Sequence, residues 1–452
     1  MSQPYTKHGS ASSAQAPQST RSARLRLLLA AVLACAGIVF LSYRLLTPPR
    51  PERLRLDADV PLAPPPPLPA EDKAALREGL LRLQNRLAIA RAQPNDPTVR
   101  FAIGYEALRA GDLLTAREEL RAGLQLRPET DSAIYDALGR CEIQLGLFKE
   151  AQDTYQKLLA RAPGQAAGYI GLRRAQGLLG QREAATQTLE RGARAVAPTD
   201  ISGRLGIAGE FEMRDELPRA LAEAQAARAR APDSAAATLT AAHLLFRLGR
   251  LSEARTLLEQ MLAAHPDDPL VRRYLATVLD NPLLPQRDPA LAEHYLLETL
   301  QRNHDDVEAC QQLAQFYQDA RRYRQAAYMF TWLLALVPDS ASARLQLAQA
   351  YAHLGNPGLS AEQRTIALRL LARNKEEARL RERHDHRPTD PQARLALARH
   401  YLDAGQFAKA LVELQSAYCL APRSPQVRRQ LTNFYAQLGV PLPPSLQRGE
   451  RS

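Results

Sequence analysis

Residues 132–163 read SAIYDALGRCEIQLGLFKEAQDTYQKLLARAP, and a few of them fix how the stretch folds. Gly139 stands at the eighth position, Gly146 at the fifteenth, Ala151 at the twentieth and Pro163 at the thirty-second. Larger apolar residues, Leu138 and Tyr155, stand at the seventh and twenty-fourth. Outward from this stretch the pattern recurs, with units starting at 97, 132, 166, 201, 235, 269, 307, 341 and 391 and a half-unit at 425. The dominant step is 34 residues, the period of a helix–turn–helix repeat. A small residue returns at position eight in Gly104, Gly139, Ala208, Ala242, Ala276, Ala314, Ala348 and Ala398. Glycine returns at position fifteen in Gly111, Gly146, Gly180, Gly249, Gly355, Gly405 and Gly439. Alanine returns at position twenty (Ala116, Ala151, Ala185, Ala220, Ala254, Ala326, Ala410), and proline at position thirty-two (Pro128, Pro163, Pro232, Pro266, Pro338, Pro388, Pro422).

Each recurrence has a physical reason. Small residues at positions eight and twenty let two antiparallel helices approach, and the larger pair, as in Leu138 with Tyr155 or Leu313 with Phe330, fills the remaining space. Glycine ends the first helix because it takes a positive φ at little cost. Proline ends the second because it cannot continue the hydrogen-bond ladder. One hairpin cannot bury its apolar face alone, so the hairpins stack. Two units depart from the period. Unit six has four extra residues, which lengthen its turn around Asn281–Pro289, and unit eight has sixteen. In unit eight Ser360–Arg383 reads as one long helix ending in the charged run Lys375–His386.

On these residues the chain resembles the tetratricopeptide repeat (TPR) family over about residues 97–440. The resemblance implies an all-α, right-handed α-solenoid of about nine repeats at 97–424, and a role as a protein-interaction scaffold. An amphipathic helix at 71–95, with Leu76, Leu80, Leu83 and Leu87 on one face, is expected to cover the first repeat, and a half-unit at 425–440 to close the far end, before a tail at 441–452. The resemblance further implies that positions two, five, nine, twelve and thirteen of each unit line a concave partner-binding face. Carried over, these are Phe101, Tyr105, Leu108 and Arg109; Arg140, Ile143 and Gln144; Ile170, Arg174 and Leu178; Leu239, His243, Phe246 and Arg247; Gln311, Gln315, Gln318 and Asp319; Gln349 and His353; and Arg399 and Asp403. The early face is apolar with scattered arginine, which suits a helix or an extended peptide. The later face is rich in amides, which suit peptide backbone or sugar hydroxyls. Glutamine is also ordinary filler on wet helix faces, and the early apolar residues can equally pack within the superhelix. The carboxylate clamp of chaperone-binding members needs Lys at position five and Asn at position nine, and neither occurs in the nine units. Removing Arg373–His386, the expected contact arm, is predicted to weaken partner binding while leaving the helical circular dichroism largely intact.

Before the repeats lies a basic tail, 1–24, read as disordered. An uncharged run, Leu27–Tyr43, follows within a predicted transmembrane helix at 25–46. Arg26 and Arg44 can snorkel to the two interfaces. A cleaved secretory signal with small residues at Ala34 and Ala36, or a lipobox at Val32–Cys35, are the rival readings, and the apolar continuation Ala36–Tyr43 weighs against both. Residues 47–70 form a proline-rich linker, with Pro64–Pro67 favouring a polyproline II spacer. The four bases and no acids of the first 26 residues favour an amino end inside the cell, which puts the repeats on the periplasmic side of a cytoplasmic membrane.

The net charge of +11 does not mark a nucleic-acid protein. Residues 1–70 hold eight basic and three acidic residues, so the repeats carry only a dilute excess. Abundant Ala, Leu, Arg and Gln with 6% aromatics excludes a β-sandwich or barrel, and four cysteines in 452 residues exclude a disulfide-stapled fold. No cofactor, metal or catalytic constellation is read. His384 and His386 flank Asp385 as a solvated charge cluster, no strand precedes the GxxGxxG of Gly203, Gly206 and Gly209, and P-loop, HExxH and GxSxG patterns do not occur. The expected partners are proteins or peptides, the membrane through the amino-terminal helix, no nucleic acid, and polysaccharide as the alternative. Repeats of a rod touch only their neighbours, so Cys141, Cys310 and Cys419, in units two, seven and nine, are expected to stay unpaired.

Overall fold

The computed structural model describes residues 70–448, all within one compact unit of the chain. The basic tail, the predicted membrane helix and the proline-rich linker lie outside the described residues. Among the described residues no helix is long and apolar enough to cross a membrane. All regular structure there is helical.

Helix α1 (Ala70–Ala92) precedes nine helix pairs. These are α2 (Pro97–Arg109) with α3 (Leu113–Leu126), α4 (Ser132–Gln144) with α5 (Phe148–Arg161), α6 (Ala166–Leu178) with α7 (Arg182–Ala195), and α8 (Ile201–Met213) with α9 (Leu217–Arg230). Then come α10 (Ala235–Arg247) with α11 (Leu251–Ala264), α12 (Pro269–Leu279) with α13 (Pro289–Arg302), and α14 (Val307–Asp319) with α15 (Tyr323–Leu336). The last pairs are α16 (Ala341–His353) with α17 (Pro357–His386) and α18 (Pro391–Asp403) with α19 (Phe407–Leu420), followed by α20 (Pro425–Leu438) and the short α21 (Pro444–Arg448).

Local chemistry sets the boundaries. The first helix of most units starts at an Asp or Ser whose side chain accepts a backbone N–H of the first turn, as at Asp96, Asp131, Asp200, Ser234, Asp268, Asp306, Ser340 and Asp390. The first helix ends in a left-handed residue, with Gly111, Gly146, Gly180, Gly249, Gly355 and Gly405 at φ between 72° and 78°. The Leu147 N–H reaches back to the Glu142 carbonyl (2.8 Å), closing the turn. Asp215 (φ 60°) and Arg321 (φ 58°) take the glycine's place in units four and seven.

Packing inside a unit follows the small residues. A Cβ on Gly104 would stand 2.6 Å from Leu120, and one on Gly139 2.6 Å from the Tyr155 ring. In unit three Arg173 takes the small-residue position and turns its charge to Glu210 of the next unit.

Position four carries a second regularity. Tyr135 and Tyr169 donate to the carbonyls of Pro128 (2.9 Å) and Pro163 (2.8 Å), and Arg100 and Arg344 to those of Pro94 (2.8 Å) and Pro338 (2.9 Å). Each satisfies a carbonyl just beyond the end of the preceding helix. Arg100, Arg204 and Arg394 also bridge to Glu119 (2.9 Å), Glu223 (2.6 Å) and Glu413 (2.9 Å) at position twenty-three of their own unit.

The ends of the array meet, which differs from the expected rod. Helix α19 packs on α1 and α3, and α21 also packs on α3. One apolar cluster joins Leu80, Leu83, Leu114 and Leu145 to Leu411, Leu414, Leu431 and Tyr435. Gln415, fully buried, accepts the Leu113 N–H (2.9 Å) and donates to Asp112 (3.3 Å) and to the Tyr435 hydroxyl (3.1 Å). Gln84 donates to the Pro441 carbonyl (3.5 Å). Helix α1 and the half-unit α20 therefore cover each other's end of the array as well as their own neighbours. The physical reason is cumulative: a small rotation per unit, summed over nine units, brings the first hairpins back onto the last. Cys141 and Cys419 consequently share this seam although they stand in units two and nine, and both remain free thiols.

Candidate functional site

The first helices form the inner layer. Most successive first helices touch one another, as α4 does α6, α6 does α8 and α10 does α12, whereas among the described residues no second helix packs comparably on the next second helix. Second helices that splay while first helices touch put the first helices on the inside of the curve. The side chains that these helices turn away from their neighbours form the candidate site.

The residues expected there fall into three groups. Phe101 and Ile143 (both 7% exposed) belong to the core, and Gln318 (7%) is buried without a hydrogen-bond partner at either end of its amide. Tyr105, Leu108, Leu239, His243, Phe246 and Gln315 are half-buried. Arg140, Arg174, Gln311, Gln349 and Arg399 are exposed. Leu178 and Met213, and Leu345 farther on, add exposed apolar surface to first helices.

Several of these side chains are tied across units. Glu212 of α8 accepts from His243 (2.9 Å) and Arg247 (3.0 Å) of α10, and Arg247 also reaches Asp215 (3.3 Å). Burial opposes ionisation of Glu212, but these hydrogen bonds outweigh it and hold the carboxyl below its ordinary range. Arg140 pairs with Asp136 (3.1 Å), and Gln315 donates to Asp319 (2.8 Å). Among the described residues, no hydrogen bond or ion pair holds Gln311, Gln349 or Arg399, so these three can meet a partner without breaking an internal contact. Burial raises the Tyr105 hydroxyl, with Asp131 and Asp136 adding to it, so it stays a neutral donor.

Among the described residues no group of three or more His, Cys, Asp or Glu side chains is placed to hold a metal ion. The thiols are poor nucleophiles, because burial pushes Cys310 up to about 12 and Cys419 up to about 11. His384 contacts Asp385 (3.1 Å) at the end of α17.

Asp112, Gln415 and Tyr435 were not legible as a group, since about three hundred residues separate the first two. A cue did exist at position sixteen of the inter-helix turns, where Leu147 is apolar and most other units carry a polar residue. Position four was legible, since an Arg with a Glu nineteen residues later recurs in units one, four and nine.

One model of the tetratricopeptide repeat matches residues 107–174 and 214–277, and a second model of the same repeat matches 312–370. The chain therefore carries tetratricopeptide repeats, in an all-helical array. It is 27% identical over 393 aligned residues to the cellulose synthase operon protein C of Xanthomonas axonopodis pv. citri (strain 306), covering 77% of this chain and 26% of that protein. The chain thus spans about a quarter of that relative's length. Similar solved structures include YrrB, described as a TPR protein with an unusual peptide-binding site (24% identity, TM-score 0.31, 41% of this chain and 91% of that one). They also include the MamA protein (13%, TM-score 0.33, 39% and 94%) and a human IFIT1 dimer with PPP-AAAA (15%, TM-score 0.39, 77% and 87%).

Proposed function

We propose that this protein is a non-enzymatic scaffold that holds protein or peptide partners on the inner face of its repeats, tethered to a cytoplasmic membrane through residues 25–46 and acting on the periplasmic side in assembly of an envelope complex. The observation that carries the binding role is the inner layer of first helices, which touch in succession from α2 to α12 and again from α14 to α16. It offers half-buried apolar anchors at Leu239 and Phe246, and side chains at Gln311, Gln349 and Arg399 that no hydrogen bond or ion pair among the described residues holds. Anchors of this kind supply the desolvated contact, and free polar groups supply orientation.

Photo-crosslinking residues at Gln311, Gln349 and Arg399 are expected to capture a common partner in cells. The same residues at Gln156 and Gln260, exposed on second helices, are expected not to. Equal capture from both faces, or none from the inner one, rejects the reading. Topology is tested by reporter fusions at the carboxyl end.

A second reading is contact with polysaccharide in its synthesis or export. It is favoured by the name of the relative, cellulose synthase operon protein C, and by the amide-rich stretch from Gln311 to Gln349. Retardation of the full chain in gels containing a neutral or an anionic glycan, lost on replacing Gln311 and Gln349 by Ala, supports it. Unchanged mobility in every polymer rejects it.

A further inference from the structure

The seam between the two ends of the array has a construction that the rest of the described array lacks. Elsewhere each unit packs on its sequence neighbours, so loosening any contact disturbs a hairpin. The contacts of α19 with α1 and α3, and of α21 with α3, are sparser than those within a unit. They can part while every hairpin keeps its own core. At their centre Gln415 joins the Leu113 N–H, Asp112 and the Tyr435 hydroxyl, all from elements far apart in sequence.

Asp112 is the unusual member. It sits at position sixteen, where other units carry Leu147, Gln181, Glu216, Arg250, Arg322, Asn356 and Gln406. It is 1% exposed, lying beneath α19. Its oxygens accept from the Thr115 N–H (3.2 Å), the Thr115 hydroxyl (2.7 Å) and the Gln415 amide, all neutral donors. The groups facing it are equally neutral or acidic: Glu118 on its own helix, the Cys141 thiol on α4, Gln415 on α19 and the Tyr435 hydroxyl on α20. Of the described cations on α1 near this seam, Lys73 lies over the Phe407 ring and Arg77 lies beside Gly439 instead.

We propose that this seam is a clasp that opens and closes, that Asp112 and Gln415 form its latch, and that acid closes it. A carboxylate sealed among neutral partners loses its hydration with no cation to replace it. Burial accordingly raises the Asp112 carboxyl, against the hydrogen bonds from Thr115 and Leu114. A group raised in the closed form favours closure fully below its solution value, and that contribution is lost as pH rises through the raised one. The clasp is therefore tightest in acid and loosens toward neutrality, freeing the first two units from the last one.

The test is energy transfer across the seam in the full chain, between dyes on bio-orthogonal residues at the exposed positions Gln144 and Arg423. A second pair, at Thr256 and Gln325, reads the intervening array. Between about pH 5 and about pH 8 the open-to-closed ratio of the seam pair is expected to rise several-fold while the second pair stays constant. Asp112→Asn is expected to flatten that dependence. Thr115→Val, which removes a donor to the carboxylate and keeps the side-chain shape, is expected to move the midpoint to higher pH. A seam that opens toward acid, one that does not respond to pH, or an Asp112→Asn chain that keeps the dependence overturns the proposal.

Discussion

Tyr155 shows how tightly single residues are held. Its ring is 1% exposed and lies against Gly139 of its own unit and Gly171 of the next, where an added Cβ would strike it. Gly171→Ala is therefore expected to destabilise the array by about 1–3 kcal/mol, because neither the ring nor the helix backbone has room to retreat. Urea denaturation followed by circular dichroism measures it, and an unchanged midpoint contradicts this packing. Arg321 gives the opposite case. It holds φ 58° at a turn where six units place glycine. Arg321→Gly is expected to stabilise the chain by about 1 kcal/mol by removing the cost of the left-handed conformation. A lower melting temperature would show that the arginine side chain contributes more than its backbone costs. The Cys310 thiol, held up at about 12, is expected to resist alkylation at about pH 8 until the chain is unfolded.

Among the elements, α17 departs most from its neighbours, at thirty residues. The sequence presents its charged far end as a free arm, and the structure anchors part of it. Arg373 meets Asp339 (3.0 Å), Arg381 donates to the Tyr401 hydroxyl (3.2 Å), and Leu380 packs on the seam cluster. The opposite face stays bare, with Leu368 57% and Leu371 40% exposed. Deleting Arg373–His386 is thus expected to lower stability as well as partner binding, whereas Leu368→Ser with Leu371→Ser is expected to leave the melting temperature in place. Leu380→Ala should cost about 1 kcal/mol, less than full burial of a leucine because the side chain is only partly covered. Periodicity and charge announced a long helix at 360–383, three residues short of the observed one at each end. They were silent on its docking, because the Tyr401 that receives it belongs to the next unit.

At the scale of the whole molecule the closed array changes which residues act together. Removing the latch by Gln415→Leu leaves the Leu113 N–H buried without its partner, a penalty of about 1–3 kcal/mol, while Asp112 keeps its two Thr115 donors. The seam is expected to open before any hairpin unfolds. Hydrogen exchange should then speed up in α1, α3 and α19 and stay unchanged in α10 and α11. Uniform acceleration would mean that closure and hairpin stability are one cooperative transition.

What the sequence determined by itself was the hairpin. Glycine at position fifteen, small residues at eight and twenty, and proline at thirty-two act within one turn or one pair of helices, and such short-range constraints repeat visibly along a chain. The family resemblance also offered positions for a partner-binding face, though not which of them the core would claim, since Phe101, Ile143 and Gln318 are buried by contacts that position numbers do not encode. Only the tertiary structure decided that the two ends meet. That contact arises from the summed rotation of nine units, and it brings Asp112 beside Gln415 across a separation no local pattern can register.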